Sequence, residues 1–468
     1  MTRESWGSRA GFILAAAGSA VGLGNLWRFP WMTAENGGAA FLVLYLGIIL
    51  LVGVPGLLGE LVIGRRARNS PVGALRDLAD SRGWGIVGHL PVLTNLFLLS
   101  FYSVVGGWVL RYLLDAILGT PITEPGAYFD SVAFGLEAVG FHVLFILLTG
   151  LIVVGGIRRG IERATKLMMP AIIVLLVGIA IYAGQLPGAA AGYDFFLQPN
   201  ITYLRSNFVD VLLAAGGQAL FTLSIGAGTM LTYASYLDDD RSLPADGTTI
   251  AILNTAVGVL AGLVVLPLLF ALVGNAGTSG PGALFVSLTG AFGTLPAPAG
   301  RGLAITFFAV VALAALSSSI SMLEIPVSFL VDEHGWTRRR ATTVLLGVFL
   351  LTGAVNALEP AVFGFIADTL VNLLLTAGLT VFLLFAGWVL GADAIAEFER
   401  GAGPLARRTS GAWLLAIGIL LPLFLLFTLF SGALGAADVA VPHHWVILAT
   451  AGTALVAFLG LRHARSVV

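Results

Sequence analysis

The chain has no cysteine, a single lysine and few charges of either sign: only 10% of its 468 residues are Asp, Glu, Lys or Arg. Without cysteine there are no disulfides, thiolate metal sites or cysteine nucleophiles, and the redox compartment cannot be read. A net charge of −1 offers no basic footprint for nucleic acid. No G-x-x-x-x-G-K-[ST] loop, no G-x-S-x-G elbow and no metal-spaced group of His, Asp and Glu occurs, so ATP-driven pumping and hydrolysis lack their machinery and no enzyme is expected. What abounds is apolar. At 58% hydrophobic residues and a mean hydropathy of +0.96, this is an all-α polytopic membrane protein with no large soluble domain left over.

Hydropathy places about twelve spans, near 11–35, 39–64, 86–114, 134–155, 162–184, 208–236, 247–273, 302–331, 340–357, 362–390, 411–432 and 444–461. The first nine residues are polar, and the apolar stretch after them is too long and too polar at its end for a cleaved signal, so it is expected to stay as the first span. Cationic residues gather in alternate loops: Arg3 and Arg9, Arg65 to Arg82, Arg158 to Lys166, Arg241, Arg338 to Arg340, Arg400 to Arg408, and Arg462 with Arg465. That asymmetry places both termini in the cytoplasm of a cell (plasma) membrane protein. The intervening loops 115–133, 185–207 and 274–301 are richer in Pro, Gly, Asn and Asp and are expected to carry short helices.

Two spans are broken. Residues 10–45 read AGFILAAAGSAVGLGNLWRFPWMTAENGGAAFLVLY, interrupted at Gly18, Gly22, Gly24 and Asn25. Residues 216–236 read GGQALFTLSIGAGTMLTYASY, with a second G-x-G at Gly226 and Gly228. In hydrocarbon every backbone N–H and C=O needs a partner, so a mid-depth break is tolerated only inside protein or beside a polar cavity. A glycine-rich helix crossing would explain one such break, but not its recurrence at the corresponding place in a second half. Paired interrupted segments point to a secondary transporter with its site at the midplane, freed amides facing an anion and freed carbonyls a cation. The halves, 1–184 and 185–390, read as a 5+5 inverted repeat with helices 1 and 6 broken, and 391–468 as two accessory helices.

Several side chains at membrane depth carry two readings. Arg28, in NLWRFP, either gates with Asp368 of FGFIADTLV or snorkels to the interface. Arg3 with Asp332 is either a similar pair at the opposite face or two solvated loop charges. Leu98 and Tyr102 face mid-depth in span three, where a phenol either hydrogen-bonds a carboxylate or is a satisfied core group. Ser317, Ser318 and Ser319 either ligate a hard cation or bond back to their own helix. Asn254 is an amide in an apolar run. Glu60 and Glu324 are either functional or tied to exposed backbone.

Taken together, RESWGSRAGFILAAAGSAVGLGNLWRFPWMTAENGGAAF, GQALFTLSIGAGTMLTYASY, GELVIGRR, IRRGIERATKLMMP, SSSISMLE, FLVDE and GWVLGAD resemble the neurotransmitter:sodium symporters, the family that includes the bacterial leucine transporter. The resemblance implies two sodium sites. One is similar to the Ala20 carbonyl, Asn25, Thr222 and Asn254, completed by the substrate carboxylate. The other resembles the Gly18, Val21 and Ala314 carbonyls with Ser317 and Ser318. It implies a substrate site of Ser19, Leu23, Gly24, Leu98, Tyr102, Phe221, Ser224, Ala227, Ser318 and Met322. It also implies an outer gate of Arg28 and Asp368, helped by Tyr102 and Phe221, and an inner one of Arg3, Asp332, Trp6 and Tyr236.

Departures from the pattern refine this. Gly22 stands where monoamine members place an aspartate, so the substrate is expected to bring its own carboxylate: an amino acid, with Ala227, Leu98 and Met322 admitting a bulky aliphatic or aromatic side chain. Gly258 replaces the serine or acid of the chloride position, while Tyr45, Gln218 and Thr222 are present, and chloride dependence stays open. Val381 falls where relatives carry a glutamate, which leaves the bracing of the sixth span unexplained. The expected function is sodium-coupled amino-acid symport by alternating access. The alternative is a gradient-independent sensor or a channel on the same fold, against which stand the absence of any signalling domain and of a ring of charges.

Overall fold

The structure, a computed structural model, describes residues 4–238, 241–277, 282–437 and 446–453. Among the described residues every regular element is helical. Nine of these helices are long and apolar enough to cross a bilayer: Ala39–Ala67, Arg82–Leu118, Leu136–Val153, Ile157–Ala183, Leu243–Leu272, Ala297–His334, Arg338–Leu358, Pro360–Leu390 and Pro404–Ala436. They are spans two to five and seven to eleven. Span one is a pair, Arg9–Ala20 and Gly24–Glu35, bent by 47°. Span six is another pair, Phe208–Leu223 and Thr229–Ala234. Of the expected twelfth span only 446–453 is described, and it is helical.

The ends of the first pair follow from local chemistry. Ser8 caps the first piece by accepting the Gly11 N–H at 3.0 Å. The helix stops at Val21, whose ψ of 94° is extended. A Cβ on Gly22 would run into the Ser318 hydroxyl and the Tyr102 phenol, and one on Gly24 would sit 3.0 Å from Phe221 and 3.2 Å from the Thr222 backbone. At position 22 only glycine lets the chain pass. Beyond the break a wide turn, in which Phe29 N–H reaches back five residues to Gly24, leads into a helix with Pro30 in its first turn.

Span six breaks by a different device. Ser224 (φ 52°), Gly226 (φ 88°) and Gly228 (φ 75°) all take left-handed backbone, which ends one helix and aims the next. Gly226 packs backbone to backbone on span ten: a Cβ there would strike the Leu375 carbonyl, and one on Gly378 would strike the Gly226 carbonyl.

Around these breaks spans three and eight pack along most of their length, with spans four and nine against them. Spans two, six and seven surround span one, span five closes its N-terminal piece, and span eleven packs on span ten. The three polar loops carry short helices as expected: Pro125–Val132, Ala189–Leu197 with Ile201–Ser206, and Ala283–Gly293.

Candidate functional site

The breaks face each other, and the backbone they free is accounted for by side chains. Glu60 of span two, fully buried, accepts the Gly226 N–H at 2.6 Å and those of Met230 and Leu231 at 3.2 and 3.3 Å. One carboxylate thus caps the start of the second piece of span six, where the helix dipole favours negative charge. This is the bracing that Val381 left unexplained. Asn95 of span three donates to the Ala227 carbonyl at 2.8 Å, Gln218 to the Gly24 carbonyl at 2.7 Å, and Tyr102 accepts the Leu23 N–H at 3.0 Å.

Between the breaks lies a narrow slot lined by Ala20, Gly22, Gly24, Leu98, Tyr102, Phe221, Ser224, Ser318, Met322 and Leu375. Seven of the ten residues expected from sequence are in that lining. Ser19, Leu23 and Ala227 adjoin it through their backbone: the Ser19 carbonyl accepts from Ser318 at 2.7 Å and Ser224 at 3.3 Å, while its own hydroxyl bonds Ser321 at 2.6 Å. Its lining is part polar, with the Tyr102 phenol and the Ser224 and Ser318 hydroxyls, and part apolar, with Leu98, Met322 and Leu375.

Beside the slot, four oxygen-bearing groups converge. The Asn254 amide terminus lies 3.1 Å from the Ala20 carbonyl, 3.2 Å from Asn25 Oδ1 and 3.2 Å from the Thr222 carbonyl. The Asn25 amide donates to the Asn254 carbonyl at 2.9 Å, and the Thr222 hydroxyl lies 3.4 Å from the Asn254 amide. With Asn254 Oδ1 turned inward, oxygens crowd on oxygens, an arrangement that a hard cation relieves; with the amide turned over, its N–H groups take that place. The donor set fits sodium. At the second expected position Ser317 Oγ joins the Val21 and Ala314 carbonyls at 3.0 and 2.9 Å. Ser318 turns to Ser19 instead, and the Cα of Gly18 faces Met169 and Thr165 of span five.

Cavities open at both ends. At the end away from the N-terminus, Arg28 and Asp368 line a cavity of about 390 Å³ together with Ala214, Leu220, Asn372 and Phe424. They attract each other across it without a contact ion pair, and the Arg28 guanidinium sits 5.0 Å above the Phe221 ring, over the slot. Both residues lie in wide π-type turns. At the N-terminal end the way is shut. Trp6 donates to the Tyr233 carbonyl at 2.9 Å and packs edge-on against Phe12, Tyr233 and Tyr236. Tyr236 donates to Glu324 at 2.9 Å, which Arg338 clamps with two bonds of 2.6 and 2.9 Å. Arg3 lies outside the described residues, so its pairing with Asp332 has no geometry here.

The family model for the sodium:neurotransmitter symporters matches residues 3–123 and 134–395. The chain belongs to that family. Among curated relatives of this sodium:neurotransmitter symporter, the sodium-dependent transporter YhdH of Bacillus subtilis is 33% identical over 414 residues, covering 85% of this chain and 90% of the relative. The sodium-dependent dopamine transporter of Bos taurus is 26% identical over 488 residues, 91% of this chain and 68% of that one. The crystal structure of MhsT in complex with L-phenylalanine superposes with a TM-score of 0.83 at 37% identity, covering 92% of this chain and all of that one. Membership makes this symporter a sodium-dependent, multi-pass membrane transporter of a small molecule and not an enzyme.

Sequence reasoning left three residues around the site of this symporter without a role. Leu375 was hidden because a leucine in a leucine-rich run carries no signal. Asn95 was readable as an amide inside an apolar span. Glu162 of span five, which accepts Gly7 N–H at 2.8 Å and the Ser8 hydroxyl at 2.9 Å, looked like a loop charge.

Proposed function

We propose that this chain carries an amino acid with a bulky aliphatic or aromatic side chain across the plasma membrane by sodium-coupled symport and alternating access. The observation that supports it most is the oxygen cluster of Ala20, Asn25, Thr222 and Asn254 beside a slot whose lining is part polar and part apolar. The substrate carboxylate meets the polar groups and completes the first sodium site, because Gly22 offers no acidic side chain to receive an amine. A second sodium is held by the Gly18, Val21 and Ala314 carbonyls with Ser317, and with Ser318 once its hydroxyl leaves the Ser19 carbonyl. Each ion and the substrate raise the other's affinity, and that reciprocity couples their movement. The likeness to a transporter solved with L-phenylalanine agrees with an apolar side chain against Leu98 and Met322.

In this reading both termini are cytoplasmic and the Arg28–Asp368 cavity is the outer one. The two inverted halves, 1–184 and 185–390, supply a bundle of spans one, two, six and seven that rocks against spans three, four, eight and nine, with 391–468 accessory. Arg28 closes on Asp368 over Phe221 and Tyr102 once substrate is bound. The inner end opens when Trp6 and Tyr236 part and any Arg3–Asp332 pair breaks. Tyr45, Thr222 and Thr255 place hydroxyls together near Gly258, so chloride is an arm of the test rather than part of the claim.

The deciding experiment is uptake by purified protein in liposomes under imposed sodium gradients, with a competition panel of amino acids and with chloride replaced by gluconate. Saturable uptake driven by inward sodium is expected. Uptake indifferent to sodium removes the coupling. Saturable binding without flux makes the protein a sensor, and non-saturable flux makes it a channel.

A further inference from the structure

Span ten contributes one residue to the slot, Leu375, which is 2% exposed. It reaches there because span six is open at Gly226. The left-handed glycine brings the two backbones together, so that a Cβ on Gly226 would strike the Leu375 carbonyl. An unbroken helix with side chains at that level would stand between span ten and the slot.

The other walls have little freedom to change size. Gly22 and Gly24 are held to small residues by close packing, and Tyr102 and Ser318 are committed to the Leu23 N–H and the Ser19 carbonyl. Phe221 lies under Arg28. Adjustable bulk is left to Leu98, Met322 and Leu375. Methionine is unbranched and yields to its surroundings. Leu375 does not, since the contact of its backbone with Gly226 fixes its Cα and its volume passes directly into the slot. Span ten also carries Asp368, two helical turns earlier, into the outer cavity, so the element that sizes the slot is the one that bears half of the gate.

We propose that Leu375 is a specificity-determining residue that sets how large an apolar side chain the slot accepts. This rests on reading the slot as the amino-acid site. Enlarging the space by truncation at 375 favours the largest side chains over leucine, and filling it does the reverse.

The test compares full-length wild type, L375A and L375F in liposomes with an inward sodium gradient, reading the ratio of kcat/KM for L-tryptophan to that for L-leucine. L375A is expected to raise the ratio about tenfold or more, the low end of what one methylene of pocket space gives, and L375F to lower it comparably. A ratio that moves by less than about twofold in every variant that reaches the membrane folded, or moves in the same direction in both, overturns the assignment. If L375A does not fold, the direction of the L375F shift decides alone, with equilibrium competition of the two amino acids in detergent as its check. Wild type without sodium-dependent uptake of any amino acid fails the earlier reading instead, and this one with it.

Discussion

Asn254 joins the oxygens of spans one and six. It is fully buried, and its amide terminus is within 3.2 Å of three oxygens from spans one and six. In the proposed reading, removing it takes away a sodium ligand and leaves the buried Ala20 and Thr222 carbonyls without that partner. A polar contact to a charge is worth about 1.5–3 kcal/mol, so Asn254→Ala is expected to raise the sodium concentration for half-maximal uptake by about tenfold or more. An unchanged sodium curve would mean that the cluster is only a packing arrangement. This residue was legible in the sequence because an amide in an apolar run has no hydrocarbon partner. Leu375 was not, because its role exists only through a contact between segments 149 positions apart, from 226 to 375. Glu60 falls between the two: the sequence says that a carboxylate at that depth needs partners, but not that they are the N–H groups of Gly226, Met230 and Leu231.

At the scale of elements, the G-x-G pairs announced where spans one and six stop being helical, and the structure breaks them there. How they break was not legible. Gly22 is demanded by side chains from spans three and eight, Gly226 by its own φ of 88° and by span ten. Gly226→Ala therefore meets both backbone strain and a steric clash. A cost of about 1–3 kcal/mol for the strain alone, with overpacking added, is expected to lower the thermal midpoint of the detergent-purified protein and to abolish binding by displacing Leu375. Glu60→Gln is milder. It keeps one acceptor oxygen but turns an NH₂ toward backbone N–H groups, and a loss of about 2–3 kcal/mol in stability should register in the same measurement, with the sodium site intact. The wide turns holding Arg28 and Asp368 have no residue signature at all, since any sequence able to form a helix can accommodate an i→i+5 turn when packing favours it.

At the scale of the molecule, one end is sealed by an aromatic and ionic plug while the other holds an open cavity with an unclosed pair, Arg28 and Asp368. Alternating access requires the opposite arrangement to exist as well, and the chain's lack of native cysteine makes it directly measurable. Ala214 lines the Arg28–Asp368 cavity, the outer one in the proposed reading, and Ser242 the one beyond the plug, so single cysteines at A214C and S242C report the two sides on an otherwise thiol-free background. Sodium alone is expected to favour the outward arrangement, raising the alkylation rate at A214C and lowering it at S242C. Adding substrate with sodium then slows A214C as Arg28 closes toward Asp368. Trp6→Ala removes the centre of the plug, and in that background S242C is expected to react faster and A214C more slowly, because a destabilised inner seal shifts the population inward. Rates that rise together at both positions would describe a continuous pathway rather than a carrier, and would count against the alternating cycle even if sodium dependence were intact.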